Sequence, residues 1–219
     1  MSEGQAVTMK ITDITQQVKN PKRFSVFIDN RFSFGIHGAD LLHHKLEIGQ
    51  ALDAEMLAKI RYEVEFASAR DSAVKYLGRG MKSTKQVRDK LSEKEYSAES
   101  IDEVVDLLTQ KGYLDDVAYA IAFISQKTKL NNFGRFRIEQ ELRGKGVSER
   151  HIETAYENID EDTQEDDLTT ATRALEKKIR HKDIAQIMKD PKELQKLKAF
   201  LARRGFGFDI IDKVFDAMR

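Results

Sequence analysis

One spacing recurs three times, and it restricts the fold more tightly than composition does. Leu91, Leu142 and Leu201 serve as anchors. Four residues before them stand Val87, Ile138 and Leu197, and ten after them Ile101, Ile152 and Ile211. Five after come Tyr96, Val147 and Phe206, and fourteen after come Val105, Tyr156 and Phe215. Apolar residues four apart share one face of a helix. Four after each anchor lie Glu95, Gly146 and Gly205, so two of the three units place glycine where a helix stops. Six after lie the small residues Ser97, Ser148 and Gly207. Each unit therefore reads as helix, tight turn, small N-cap, second helix. The anchors are 51 and 59 residues apart, more than two helices fill, so each unit needs a third. Stretches 71–77, 118–127 and 170–179 supply it. Such units bury apolar surface partly against their neighbours, which predicts an elongated, curved array.

The N-terminal part follows another rule. Phe24, Val26 and Ile28 alternate, as do Phe32, Phe34 and Ile36, around Asp29-Asn30. Both of those residues tolerate positive φ, which a two-residue hairpin requires. With 9–18 they predict a small antiparallel sheet of two or three strands, then short helical pieces through residues 37–46. A sheet this small needs a cover, and 53–77 has the pattern of a helix that could provide it. The expected divisions are an N-terminal region over 1–66, repeats over 67–116 and 117–159, and an acidic linker with a third repeat over 160–219.

Two prolines in 219 residues, with 34% charged and 40% hydrophobic residues, suit a mainly α protein. The absence of cysteine excludes disulfides, thiolate chemistry and cysteine-based zinc sites. No run of 18 or more apolar residues occurs and the first ten residues have no apolar core, so the expected compartment is the cytoplasm. Formal net charge is zero, but the charge is segregated. Residues 75–94 carry seven Lys/Arg against two acids, 127–150 seven against three, and 173–204 eleven against four, whereas 157–167 holds seven acids and no base. A neutral chain arranged this way can still present basic faces to a polyanion.

The string GRGMKS (78–83) has the look of a phosphate loop without its essentials. Met81, not glycine, precedes Lys82, and the residues leading in are helical in pattern. The plainer reading is a helix end at Gly78 and Gly80, followed by a capping box between Ser83 and Gln86. Lys82, Lys85 and Arg88, with Arg79 across the turn, then form a basic face. Any one such face is more often merely solvated; three units showing the same excess favour a function.

Rival chemistry is weaker. Histidines 37, 43, 44, 151 and 181 lack metal-ligand spacing. Asp115-Asp116 could be paired carboxylates, but they directly precede a helix, so one reads better as its N-cap and the other as a dipole partner. The run 157–167 reads as a solvated linker, with masking of a basic face as the alternative. Phe133 and Phe136, interleaved with Arg135 and Arg137, are core residues or base-stacking platforms.

The strings LGRGMKSTKQVRDKL (77–91), KGYLDDVAYA (111–120), FGRFRIEQELRGKGVSERHI (133–152) and FLARRGFGFDIIDKVF (200–215) resemble, in that order, the three repeats of RecX regulatory proteins. VFIDNRFSFGI (26–36) is similar to the hairpin preceding the first repeat in that family. The resemblance implies a non-enzymatic regulator made of tandem three-helix repeats, which binds the filament of RecA recombinase on single-stranded DNA and damps its ATPase and strand exchange. No cofactor or metal is expected, and a monomer is the expected state, although the sequence leaves oligomeric state open. It implies no catalytic residues. The contact candidates are Arg79, Lys82, Lys85 and Arg88 in the first unit, Arg135, Arg137, Arg143 and Lys145 in the second, and Lys198, Arg203 and Arg204 in the third. The alternative is a helical-repeat protein that binds DNA or RNA directly, without a recombinase.

Overall fold

The structure, a computed structural model, describes residues 8–159, 166–180 and 184–218. Its elements run β1 (Met9–Gln17), β2 (Asn20–Ile28), β3 (Arg31–His37), α1 (Gly38–His43), β4 (Ala51–Leu52), then α2 (Ala54–Leu77), α3 (Thr84–Ser92), α4 (Ala98–Gln110), α5 (Asp116–Asn131), α6 (Arg135–Gly144), α7 (Glu149–Asn158), α8 (Asp167–Ile179), α9 (Ile184–Lys189), α10 (Pro191–Arg203) and α11 (Phe208–Asp216). The chain forms two compact units, Met1–Gly78 with Lys90–Leu107, and Arg79–Asp89 with Leu108–Arg219.

In the first unit the sheet is antiparallel, ordered β3-β2-β1-β4. It has four strands rather than two or three, because Met9 and Lys10 also pair with Leu52 and Ala51. Asp29 and Asn30 sit at φ 47° and 65°, the positive values a type I′ turn needs. Asp29 is fastened again by Lys10, whose N–H donates to its carboxylate at 3.1 Å. Val26, Ile28 and Ile36 point inward with Ile11, Leu52 and, from α2, Leu57, Ile60 and Val64. The expected alternation fails at Phe32. A bulge pairs Val26 with Phe34 but Phe27 with Phe32, so the Phe32 ring ends 61% exposed, edge-on to Phe27 at 6.0 Å. The expected cover helix and the first helix of the first repeat are one uninterrupted element, α2.

The repeat is present at atomic detail. Leu91, Leu142 and Leu201 are each fully buried. After each, the chain closes the helix with the same hydrogen bonds. The N–H four residues on reaches the carbonyl one residue on, and the N–H five residues on reaches the anchor's own carbonyl. The bonds are Glu95 to Ser92 and Tyr96 to Leu91, Gly146 to Arg143 and Val147 to Leu142, and Gly205 to Ala202 and Phe206 to Leu201. This is the Schellman closure, whose turn residue requires a left-handed backbone. Glu95, Gly146 and Gly205 adopt φ 62°, 80° and 90°. Glu95 takes the strained conformation that glycine supplies in the other two repeats. Ser148 caps α7 through the His151 N–H at 3.2 Å, and Pro191 opens α10 behind its N-cap Asp190. In the second unit the cores of α5–α7 and of α8, α10 and α11 are separate apolar clusters.

The stretch 157–167 is not a linker throughout. Glu157 and Asn158 complete α7, Ile159 is buried, and Asp166 and Asp167 start α8; residues 160–165 lie outside the described residues, as does His181.

Candidate functional site

The residues 78–83 form no phosphate loop. Ser83 and Gln86 make the reciprocal capping box, with the Ser83 N–H donating to the Gln86 side chain at 3.1 Å and the Gln86 N–H donating to Ser83 Oγ at 3.2 Å. The Ser83 hydroxyl then donates outward, to the carbonyl of Lys145 at 2.6 Å. The amide of Thr84, the first residue of α3, donates to Asp116 Oδ1 at 2.8 Å. The second repeat reproduces both links toward the third. Gly134, eight residues before its anchor as Ser83 is, donates its N–H to the carbonyl of Arg204 at 2.9 Å. Arg135, the first residue of α6, donates its N–H to Asp167 Oδ1 at 3.3 Å. Lys145 and Arg204 both lie three residues after their anchors.

The acidic pairs Asp115-Asp116 and Asp166-Asp167 thus do the same two jobs. Asp115 caps α5 through the N–H groups of Val117 and Ala118, both at 2.9 Å, and Asp166 caps α8 through Thr169 at 2.6 Å. The second aspartate of each pair holds a neighbouring helix N-terminus, whose orphan donors and positive dipole end suit a carboxylate. Sequence reasoning read one of the first pair as a cap and missed the cross-repeat role of both. The signal was the recurrence of the dipeptide before a helix.

Every candidate cation belongs to the second unit. Several are engaged by their own fold. Arg135 pairs with Glu139 at 2.6 Å and stacks on the Tyr156 ring at 4.2 Å. Arg143 is held by Glu149 at 2.7 Å and Glu139 at 3.1 Å. Lys198 pairs with Asp212 at 2.6 Å, and Lys85 with Asp89 at 2.5 Å. Arg137 lies over Phe133 at 3.8 Å, pairs with Glu141 at 3.2 Å and donates to the Arg203 carbonyl at 3.2 Å. Arg204 stacks on Phe200 at 4.7 Å and donates to the carbonyls of Asn131 and Asn132. Burial, then the nearby Arg137, pulls the Arg204 guanidinium below the usual arginine range. These cations are partly stitching for the repeats, not a free electropositive face.

Of the remainder, Arg79, Lys82 and Arg203 line two clefts. One, of about 570 Å³, sets Arg79 and Lys82 opposite Tyr119 and Phe123. Lys145 and Lys127, the latter not singled out in the sequence, approach the Phe123 ring at 5.4 and 5.0 Å. Lys82 donates to the carbonyls of Gly80 and Met81, and Arg88 on α3 is half-buried. The other cleft, of about 430 Å³, is lined by Phe136, Arg137, Gln140 and Arg203. Phe136 is 66% exposed, while Phe133 is enclosed by Arg137, Arg204 and Lys127, so the two aromatic residues separate into platform and filler. Arg79 and Arg203 are exposed and make no ion pair among the described residues. Among those residues no cluster of His, Asp and Glu could hold a metal, and no helix is long and apolar enough to cross a membrane.

This architecture has relatives. The model of the regulatory protein RecX N-terminal domain matches residues 9–53, and those of the first, second and third RecX three-helix domains match 69–108, 115–155 and 164–215. The chain belongs to the RecX family. Regulatory protein RecX of Bacillus subtilis (strain 168) is 34% identical over 94% of this chain and 76% of its own. That of Clostridium botulinum (strain Alaska E43 / Type E3) is 32% identical over 95% and 96%. A crystal structure of a regulatory protein RecX superposes with a TM-score of 0.65 at 24% identity, covering 95% of this chain and 99% of that one. RecX from Lactobacillus salivarius gives 0.60 at 21% identity over 70% and 96%. The resemblance of the four strings and the mainly helical three-helix repeat fold are thereby shown.

Proposed function

We propose that this chain is a non-enzymatic regulator that binds the RecA filament on single-stranded DNA and restrains its ATPase and strand exchange. Membership of a family of regulatory proteins supports the class of function. The observation that carries the reading further is the placement of all eleven contact candidates on one compact unit, where Arg79 and Lys82 line one cleft, Lys145 lies over the Phe123 ring of its wall, and Arg203 and Phe136 flank another. Arginines without an ion pair among the described residues, set beside aromatic walls, suit a surface offering phosphates and carboxylates together, as a nucleoprotein polymer does. Homologous recombination and DNA-damage control are the processes such a regulator would serve, in the cytoplasm.

The exposed Phe136 beside Arg203 equally suits a bare nucleic-acid strand, on which an aromatic ring stacks and an arginine meets phosphate. Titration of the protein into RecA turning over ATP on single-stranded DNA tests the first reading; falling ATPase at substoichiometric protein supports it. Tight binding to bare strands with a steep salt slope, and no effect on RecA, would support the second reading instead.

A further inference from the structure

Arg23 and Arg61 lie in the first unit, outside the surface just described. Neither makes an ion pair among the described residues, and both line one cleft of about 290 Å³ between β3 and α2. Arg61 Nη2 donates to the Ser33 hydroxyl at 2.9 Å and to the Ser33 carbonyl at 3.3 Å. Arg23 Nη2 donates to the Gly35 carbonyl at 2.9 Å, and its Nη1 donates to Ser68 Oγ at 3.4 Å. The secondary structure explains the convergence. Ser33 and Gly35 are two apart on a strand, and Arg61, Glu65 and Ser68 stand at i, i+4 and i+7 on a helix. A Cβ at Gly35 would crowd the Gln17 side-chain amide at 3.0 Å, whereas its 3.5 Å to Arg23 Nη2 is ordinary contact.

A hydroxyl chain closes one side. Tyr96 OH lies 2.9 Å from Ser68 Oγ and 2.9 Å from Ser72 Oγ, which accepts from Lys94 Nζ at 3.0 Å. Tyr96 occupies the repeat position filled by Val147 and Phe206 elsewhere, so the first repeat alone replaces an apolar plug with a hydroxyl. The one carboxylate in the lining, Glu65, accepts the Ser97 N–H at 2.6 Å. Burial pushes Glu65 up, but the bonds from Ser97 and Ser100 outweigh it and hold the carboxyl below its usual range. Two guanidiniums therefore face one carboxylate that is already engaged. Each guanidinium carries five donors and cannot lose its proton, and the acceptors it meets here are all neutral.

We propose that this cleft is an oxyanion site that takes a phosphoryl group between Arg23 and Arg61, with the Ser33 hydroxyl as a further donor. Planar guanidiniums match phosphate oxygens in pairs, and charge-assisted bonds of this kind replace weaker ones to carbonyls and hydroxyls. The site uses none of the cations assigned to the filament-binding surface, so it stands or falls independently.

The test is backbone-amide NMR of the full chain, titrated with sodium phosphate against sodium chloride at equal ionic strength. The expected result is saturable shifts at Ser33, Gly35 and Ser68 with phosphate only. Arg61→Gln, at an exposed position the fold tolerates, weakens binding about ten-fold, and Glu65→Gln, which keeps an acceptor for Ser97, tightens it. A second arm uses a short oligothymidylate. Saturation of the same amides at lower concentration than inorganic phosphate identifies a nucleic-acid backbone as the source, whereas saturation by phosphate alone identifies a free phosphoryl ligand. Absence of shifts at these amides in both arms, or shifts unchanged in Arg61→Gln, overturns the proposal.

Discussion

The hydroxyl of Ser83 donates to the carbonyl of Lys145 across 2.6 Å, and that one bond ties the start of one repeat's middle helix to the closing turn of the next. Its counterpart runs from the Gly134 N–H to Arg204 at 2.9 Å. Two aspartates, Asp116 and Asp167, reinforce the links from the other side. The repeats are coupled at specific polar points.

Asp116→Ala removes the acceptor of the Thr84 amide. The carboxylate is 11% exposed, so an unpaired donor is left with little water to replace it. Equilibrium urea unfolding is expected to show a loss of about 1–2 kcal/mol, and Asp116→Asn, which keeps an acceptor, a smaller one. An unchanged midpoint for the alanine variant would mean that the link contributes nothing.

Neighbouring aspartates are expected to respond to pH in opposite directions. The Thr169 N–H holds Asp166 below the usual carboxylate range, so its contribution exists above the unfolded pKa and fades as pH falls through the lower folded value. Burial pushes Asp167 up, more than the Arg135 amide lowers it. Its contribution is full only below the unfolded pKa and is lost as pH rises through the raised folded value. Asp166→Asn should therefore lower Tm at pH 7 and converge on wild type under acid conditions, while Asp167→Asn should raise Tm at pH 7 and lose that advantage near pH 4. Thermal melts across that range check both signs.

The closing turns give a third contrast. Gly205 sits at φ 90°, and a Cβ there would fall 2.4 Å from the Arg137 backbone nitrogen. Gly205→Ala is expected to cost more than about 2 kcal/mol, from strain and backbone displacement together. Glu95 holds the same place at φ 62°, so Glu95→Gly should be stabilising by about 0.5–1 kcal/mol. Chemical denaturation of the two variants would expose an error if both moved the same way.

For the proposed function, Arg203→Ala and Phe136→Ala should leave melting within about 0.5 kcal/mol of wild type, because both side chains are exposed. Each should weaken association with RecA-coated single-stranded DNA several-fold, measured by fluorescence anisotropy. Wild-type affinity in both would remove this cleft from the contact surface. Simultaneous charge reversal of Arg79 and Lys82, which line the other cleft, and of Arg88 on α3 should weaken inhibition of RecA ATPase without unfolding the protein; unchanged inhibition would remove the first repeat's basic face from the mechanism.

Much of the fold was legible because it follows from periodicity. Leu142 and its equivalents sit at helical spacing and are buried, and Asp29-Asn30 can serve few purposes other than a tight turn. Phe32 was misread because a bulge shifts the strand register by one residue, and no local pattern announces it. The contact candidates were legible as residue types but not as arrangements. Arg135 and Arg143 look as free in the sequence as Arg79 does. Their partners Glu139 and Glu149 are close in the chain, yet pairing depends on rotamers and on which helix face the repeat leaves open. The oxyanion cleft was invisible for a different reason: Arg23, Ser33 and Arg61 come from three separate elements and Tyr96 from the turn between α3 and α4.

The unbroken helix Ala54–Leu77 has a practical corollary for anyone dissecting this chain. Its first turns, through Leu57, Ile60 and Val64, seal the sheet, while Ala69 and Ala73 are buried on its later turns. A protease cut, a truncation or a chimera junction along its first turns would strip the sheet of its lid, and one farther on would expose Ala69 and Ala73. Better seams for splicing family members lie at surface turns such as the one at Gly112, where an added Cβ would meet nothing within 4 Å.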